Sequence, residues 1–243
     1  MSAPLDLAML MKAYAAGIFP MADSRDAEEI YWVEPKRRGI IPLDGFRLSR
    51  SLAKVLRSER FATTADAAFG DVVRLCAEAA PDRDNTWINP QIEEAVNLLH
   101  ASGHAHSIET WADGELVGGL YGIRLGGAFF GESMFSRAND ASKVALAHLV
   151  ARLRVGGFML LDCQFLTPHL ASLGAIEIAR DAYIGLLTSA LSGASTGSAR
   201  CDFRAFDLPG TSPASPPESP PCTTNVSGPV SGKRITQALV QTS

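Results

Sequence analysis

At 243 residues, 47 % of them hydrophobic and 20 % charged, the chain is long enough to bury one substantial core or two modest ones. Its net charge of −4 excludes a globally basic nucleic-acid binder, so any contact with RNA must come from a local patch. Cys76, Cys163, Cys201 and Cys222 form no C-x-x-C pair and stand at no zinc spacing to histidine, which reads as reduced thiols in a cytosolic protein.

The apolar stretch from Leu5 to Phe19 is interrupted by Asp6 and Lys12 and has no basic segment before it. That argues against a signal peptide or a membrane span and for a short amphipathic helix ending at Gly17, with Pro20 beyond. A strand candidate follows at Gly39–Leu43, then a helix from Ser49. Asp66 is placed to N-cap a further helix whose inner face is Phe69, Val72, Val73 and Cys76. Asn89-Pro90 opens another, with Ile92, Val96 and Leu99 inward and Gly103 as its stop.

From His104 the period changes to that of strands. Ala105–Trp111 and Glu115–Arg124 flank the turn Ala112-Asp113-Gly114 and predict a hairpin, and Gly126-Gly127 leads into a third strand, Ala128–Phe135. A helix over Asp140–Arg154 ends at Gly156-Gly157, followed by a short apolar strand, Phe158–Asp162. Thr167-Pro168 starts one helical turn closed by Gly174, Ala175–Ile178 is a strand candidate, and Asp181–Leu191 is the last predicted helix. Three antiparallel strands, a helix and another strand form the order of the acetyltransferase-type (GNAT) fold, and also of other mixed sheets. Pro209–Gly232 carries seven prolines amid Ser, Thr and Gly, so residues 192–243 are expected to form a disordered tail.

Three local features can carry chemistry. In Leu160-Leu161-Asp162-Cys163-Gln164, the acid and the amide share one face of a strand. They fit either a reaction centre or an Asp that caps the next turn. In Phe129-Phe130-Gly131-Glu132-Ser133-Met134-Phe135, a carboxylate sits among apolar neighbours and needs a partner such as a ligand's ammonium, unless strand alternation sends it to water. Lys36, Arg37, Arg38, Arg47, Arg50, Lys54, Arg57 and Arg60 are opposed only by Asp44 and Glu59. Arg50, Lys54 and Arg57 fall on one helical face, which suits a phosphate backbone as well as it suits solvent.

His100, His104 and His106 have no cysteine or carboxylate at matching spacing, so no metal is expected. Asn139–Lys143 at a helix start could hold a phosphate. A Gly-rich loop is missing there, which argues against an acyl-CoA donor.

The segments Tyr14-Ala15-Ala16-Gly17-Ile18-Phe19-Pro20, Thr86-Trp87-Ile88, Gly103–Glu109, Leu116–Gly122, Gly131–Arg137, Ala141-Ser142-Lys143, Leu161–Gln164 and Ala171–Ala175 occur in one order over residues 5 to 190. Together they resemble the leucyl/phenylalanyl-tRNA–protein transferase family. The resemblance implies a mixed α/β chain with a small N-terminal domain (1–65) packed on a GNAT-like acyltransferase domain (66–191). It implies transfer of Leu, Phe or Met from aminoacyl-tRNA to proteins beginning with Arg or Lys, which marks them for degradation by the N-degron route. No cofactor, metal or membrane is implied, and the protein is expected to be a cytoplasmic monomer.

By the same resemblance the catalytic pair is Asp162 and Gln164, and the carboxylate near the aminoacyl group is Glu132. The substrate pocket takes in Phe129, Met134, Leu120, Leu146, Leu149 and Leu153, with Trp32 and Trp87 as its tryptophans. Arg50, Lys54 and Arg57 are the expected tRNA contacts. Met21-Ala22-Asp23-Ser24, Tyr31-Trp32-Val33-Glu34-Pro35 and the leucines of the 146–153 helix depart from the family pattern, which bears on the preference among Leu, Phe and Met. Two other readings fit the residues: a non-catalytic binder of charged tRNA, and an acyl-CoA-dependent GNAT-type enzyme.

The acceptor α-amine, with a reference pKa near 8, is partly neutral at physiological pH, so holding it against the ester carbonyl supplies much of the acceleration. Gln164 can accept a hydrogen bond from that amine while its amide N–H donates to Asp162. Asp162 could also hold the acceptor's cation.

Overall fold

The computed structural model describes residues 4–78, 85–193, 201–208 and 227–240. The chain starts with α1 (Leu7–Ala15), whose first N–H groups are capped by Asp6, and a two-stranded antiparallel ribbon of β1 (Phe19–Met21) and β2 (Tyr31–Val33). Next come β3 (Arg37–Ile41), α2 (Arg50–Arg57, capped by Ser49), β4 (Ala62–Ala65), α3 (Phe69–Ala77) and α4 (Pro90–Ala101, capped by Asn89). The long strands β5 (Ala105–Ala112), β6 (Glu115–Leu125) and β7 (Ala128–Ser136) lead into α5 (Ala141–Val155). After these lie β8 (Leu160–Gln164), α6 (Pro168–Ser172), β9 (Ile176–Ala179), α7 (Arg180–Gly193), β10 (Ser227–Val230) and α8 (Gly232–Val240).

Among the described residues, eight strands form one mixed sheet in the order β10-β4-β5-β6-β7-β8-β3-β9. Every neighbour pair is antiparallel except β7 and β8, which are parallel and joined through α5. Period-two alternation along the strands divides the apolar residues between two cores. One core holds α2, α5 and α8, with Ile41, Leu120, Phe129 and Leu161 from the strands. The other holds α1, α3, α4 and α7, with Ile40, Tyr121, Phe130 and Leu160. α5 explains its own place: twelve of its fifteen residues are buried, so it runs as the central helix of its layer.

The structure departs from sequence expectation in four places. The strand expected over Gly39–Leu43 begins two residues earlier, as β3, and joins the main sheet with Ile40 and Ile41 buried on opposite faces. β8 begins two residues later than expected, since Gly157 turns the chain at φ +72° and the Phe158 N–H still bonds back to Leu153 O of α5. Asp66 does not cap α3. It sits at φ +60° and its carboxylate accepts from Ser107 N (3.0 Å) and His106 Nδ1 (2.8 Å), while the amides of Ala67 and Ala68, just before α3, turn to Glu109.

The fourth departure is the tail. Two parts of the segment expected to be disordered are folded onto the α5 core. Cys201, Phe203 and Phe206 are buried there, and Ile235 and Leu239 of α8 lie beside them. Arg152, fully buried in α5, forms a two-point ion pair with Asp207 at 2.6 and 2.7 Å. Composition hid this, because the apolar residues stand on either side of the proline-rich stretch. Residues 209–226, where most of those prolines fall, lie outside the described residues.

Candidate active site

The sheet has an opening beside its parallel pair, β7 and β8. β7 and β8 pair from Ala128/Leu160 to Phe130/Asp162 and no further, although β7 continues to Ser136. Beyond that point Glu132 and Gln164 face each other across the gap, and their side chains bridge it: Gln164 Nε2 donates to Glu132 Oε1 at 3.1 Å. Glu132, two residues after Phe130, shares its α1-side face of β7, and there the Tyr14 hydroxyl bonds to it. Gln164 ends β8 with φ +58°, a left-handed backbone that turns the side chain off the strand.

Asp162 lies directly behind. Its carboxylate accepts from Arg38 Nε (2.9 Å) and Nη2 (2.7 Å), from the Tyr183 hydroxyl (2.7 Å) and from the Gln164 backbone N–H (2.8 Å). Asp162 and Gln164 therefore do share a face, as strand spacing predicts. The Gln164 amide donates to Glu132 rather than to Asp162, because the left-handed turn swings it away. Gly39, opposite Gln164 in β3, lets the next loop close over the strand: a Cβ there would stand 2.8 Å from the Phe165 backbone.

The electrostatics follow from burial. Glu132, 8 % exposed, is pushed up to about 8, mainly by desolvation and further by the Asp162 charge, against the pull of Tyr14, Arg38 and Gln164. Burial opposes the Arg38 charge, but the Asp162 carboxylate outweighs it and holds the guanidinium above its usual range. Burial raises the Tyr14 and Tyr183 hydroxyls, and keeps both as donors. The Cys163 thiol, on the opposite face of β8, is also raised by burial and is no thiolate.

Phe129, Leu120, Leu146, Leu149 and Leu153 come together on the α5 side of the opening with Met134 at their edge, packed at 0–3 % exposure apart from Met134. Trp32 is exposed in β2 opposite Pro20, and half-buried Trp87 accepts from the Ala22 amide through its carbonyl, so the two flank β1. Arg50, Lys54 and Arg57 lie on the exposed face of α2, whose other face buries Leu52, Ala53 and Leu56. The rest of the basic run is divided. Arg37 pairs with Glu177, Arg60 donates to Asn139 O, and Arg38 is 1 % exposed inside the site.

Arg38, Tyr14 and Tyr183 were not singled out from sequence. A period-two reading of Arg37–Ile41 places Arg38 beside Ile40 on the same face, and Tyr14 follows Leu10 at i+4 on the buried side of α1.

The family model described as leucyl/phenylalanyl-tRNA protein transferase matches residues 40–188, and the model of that family's N-terminal domain matches residues 3–36. The chain belongs to the leucyl/phenylalanyl-tRNA–protein transferase family. A relative of that name from Rhizorhabdus wittichii is 59 % identical over 98 % of this chain and 99 % of its own length. One from Zymomonas mobilis is 64 % identical over 77 % of this chain and 70 % of its own, and one from Cereibacter sphaeroides is 61 % identical over 76 % and 85 %. Within this transferase family chain, the N-terminal match covers α1 and the β1–β2 ribbon, and the main match runs from Ile40 in β3 into α7. Among the described residues no helix is long and apolar enough to cross a membrane.

Proposed function

We propose that this chain transfers Leu or Phe, and Met less efficiently, from aminoacyl-tRNA to the N-terminal Arg or Lys of acceptor proteins, as a cytoplasmic monomer. The observation that carries this reading is the Glu132–Gln164 bridge at the end of the parallel pair, with a carboxylate on one side and a close-packed apolar cluster on the other. Glu132 offers a desolvated acceptor to the ammonium of the esterified amino acid, and a bound cation would draw it into its charged form.

Phe129, Leu120, Met134, Leu146, Leu149 and Leu153 supply the apolar surface for the donor side chain, with Trp32 and Trp87 at the β1 end. Gln164 accepts a hydrogen bond from the attacking α-amine. The amine nitrogen bonds to the ester carbonyl carbon, the bond from that carbon to the tRNA ribose oxygen breaks, and the oxygen leaves with a proton. Positioning supplies the rate, since the ester is already activated. The exposed face of Arg50, Lys54 and Arg57 carries the phosphate backbone.

The test is a transfer assay with labelled Leu-tRNA and a peptide beginning with Arg. Label should pass to the peptide in wild type and fall about 10²–10³-fold in Gln164→Ala, the scale of losing a positioned hydrogen-bonding group. Protection of the ester with no peptide product would mean a non-catalytic binder of charged tRNA instead.

A further inference from the structure

Asp162 has no acceptor site left for a substrate. A carboxylate offers about four lone-pair directions. Here Oδ1 takes Arg38 Nε and the Gln164 N–H, and Oδ2 takes Arg38 Nη2 and the Tyr183 hydroxyl. With 0 % exposure, the carboxylate is closed to an incoming ammonium as well. Arg38 is held just as firmly. Its remaining nitrogen donates to Gly17 O at 3.1 Å, and its guanidinium lies 4.5 Å from the Phe19 ring and 4.7 Å from the Tyr183 ring.

Gln164 is where this grip is felt. A non-glycine residue in the left-handed region gives up about 1–2 kcal/mol. The 2.8 Å bond from its N–H to Asp162 Oδ1 ties down that conformation, in which its amide reaches Glu132.

We infer that Arg38 is a positioning residue for aminoacyl transfer: it clamps Asp162, Asp162 fixes the left-handed backbone of Gln164, and the Gln164 amide is thereby aimed at Glu132. Asp162 then serves as an anchor rather than as a base or as the holder of the acceptor cation. The inference rests on the transfer reaction proposed above.

An anchor can be neutral, whereas a base or cation holder cannot. The test compares Arg38→Met, Asp162→Asn and the double variant in the full-length protein. Each single variant strands a buried charge, but in the double variant the Asn oxygen still accepts the Gln164 N–H beside an apolar neighbour of similar size. Each single should lose roughly 100-fold or more in kcat with KM for charged tRNA within about twofold, and the double should regain at least about tenfold over either single.

A folded double variant no faster than Asp162→Asn would overturn the inference, because the charge itself would then be needed. Tyr183→Phe, which keeps the ion pair, should lower kcat several-fold; an unchanged or raised kcat would also overturn it. Hydrogen exchange over residues 161–166 supplies a readout independent of activity: faster in both singles, restored in the double. Normal exchange in Arg38→Met would refute the clamp, whereas a wild type with the expected exchange and no transfer would refute only the proposed function.

Discussion

Replacing Glu132 with Gln should remove a pH-dependent loss of stability. The Glu132 carboxyl is 8 % exposed and its affinity for a proton is pushed from the ordinary 4.5 up to about 8, chiefly by burial. Between those values the folded protein keeps a proton that the unfolded chain has released, so the folded state binds more protons and stability falls as pH rises. The favourable contribution is complete below about pH 4.5 and gone above about pH 8. One proton gives a slope of about 1.4 kcal/mol per pH unit, and the whole window accumulates on the order of 5 kcal/mol.

His106, lowered by burial, acts in the opposite sense, favouring the fold as pH rises through its ordinary range. It is present in both proteins and cancels in their difference. Glu132→Gln keeps an oxygen for Tyr14 and the side-chain volume. Urea unfolding at several pH values from about 5 to 8.5 should show the variant gaining on wild type with each step up in pH. A difference that stays flat over that range would show that Glu132 ionises as an exposed carboxylate does, and would remove the argument for a desolvated ammonium site.

Replacing Arg50, Lys54 and Arg57 by Ala should weaken tRNA binding and flatten its salt dependence by roughly 0.7–0.9 log unit per lost phosphate contact, measured by filter binding across salt concentrations. An unchanged slope would place the RNA surface elsewhere. Removing everything after Gly193 should sharply lower the melting temperature or prevent folding, because Phe203, Phe206, Ile235 and Leu239 leave the α5 core and Arg152 loses Asp207. Calorimetry that finds the truncated chain as stable as the full one would contradict this. Among donors, Leu-tRNA should outcompete Ile-tRNA in a mixed transfer assay by about 10-fold or more, since a close-packed apolar site separates shapes by about 1–3 kcal/mol. Equal use of the two would rule out selection by shape.

Much of the fold was legible because local signals agreed with tertiary need. Asn89-Pro90 and Thr167-Pro168 open helices as their chemistry predicts, and the hairpin of β5 and β6 turns at Ala112-Asp113-Gly114. The errors arose where a residue's partner lies far along the chain. Asp66 has the composition of a cap but answers to His106 and Ser107, some forty residues on. Arg38 stands in a run of basic residues that points to phosphate or solvent, whereas its partner Asp162 is 124 positions away and reaches it because β3 lies beside β8. The tail's composition is set by its prolines, while its burial depends on Arg152 and the side of α5 that it covers.

At the site itself, the i, i+2 placement of Asp162 and Gln164 was readable from strand period. The swing of Gln164 toward Glu132 was not, because nothing in Leu160–Gln164 announces a positive φ at a glutamine.

The donor amino acid should sit where β7 and β8 part. A crystal structure with an amide-linked phenylalanyl-adenosine, which carries the aminoacyl end of the tRNA in a form that cannot react, tests it most directly. The ligand's ammonium should fall within hydrogen-bond distance of Glu132, its ring against Phe129 and the leucines of α5, and its carbonyl next to Gln164. A ligand bound with full occupancy away from the Glu132–Gln164 opening, leaving that bridge intact, would contradict it.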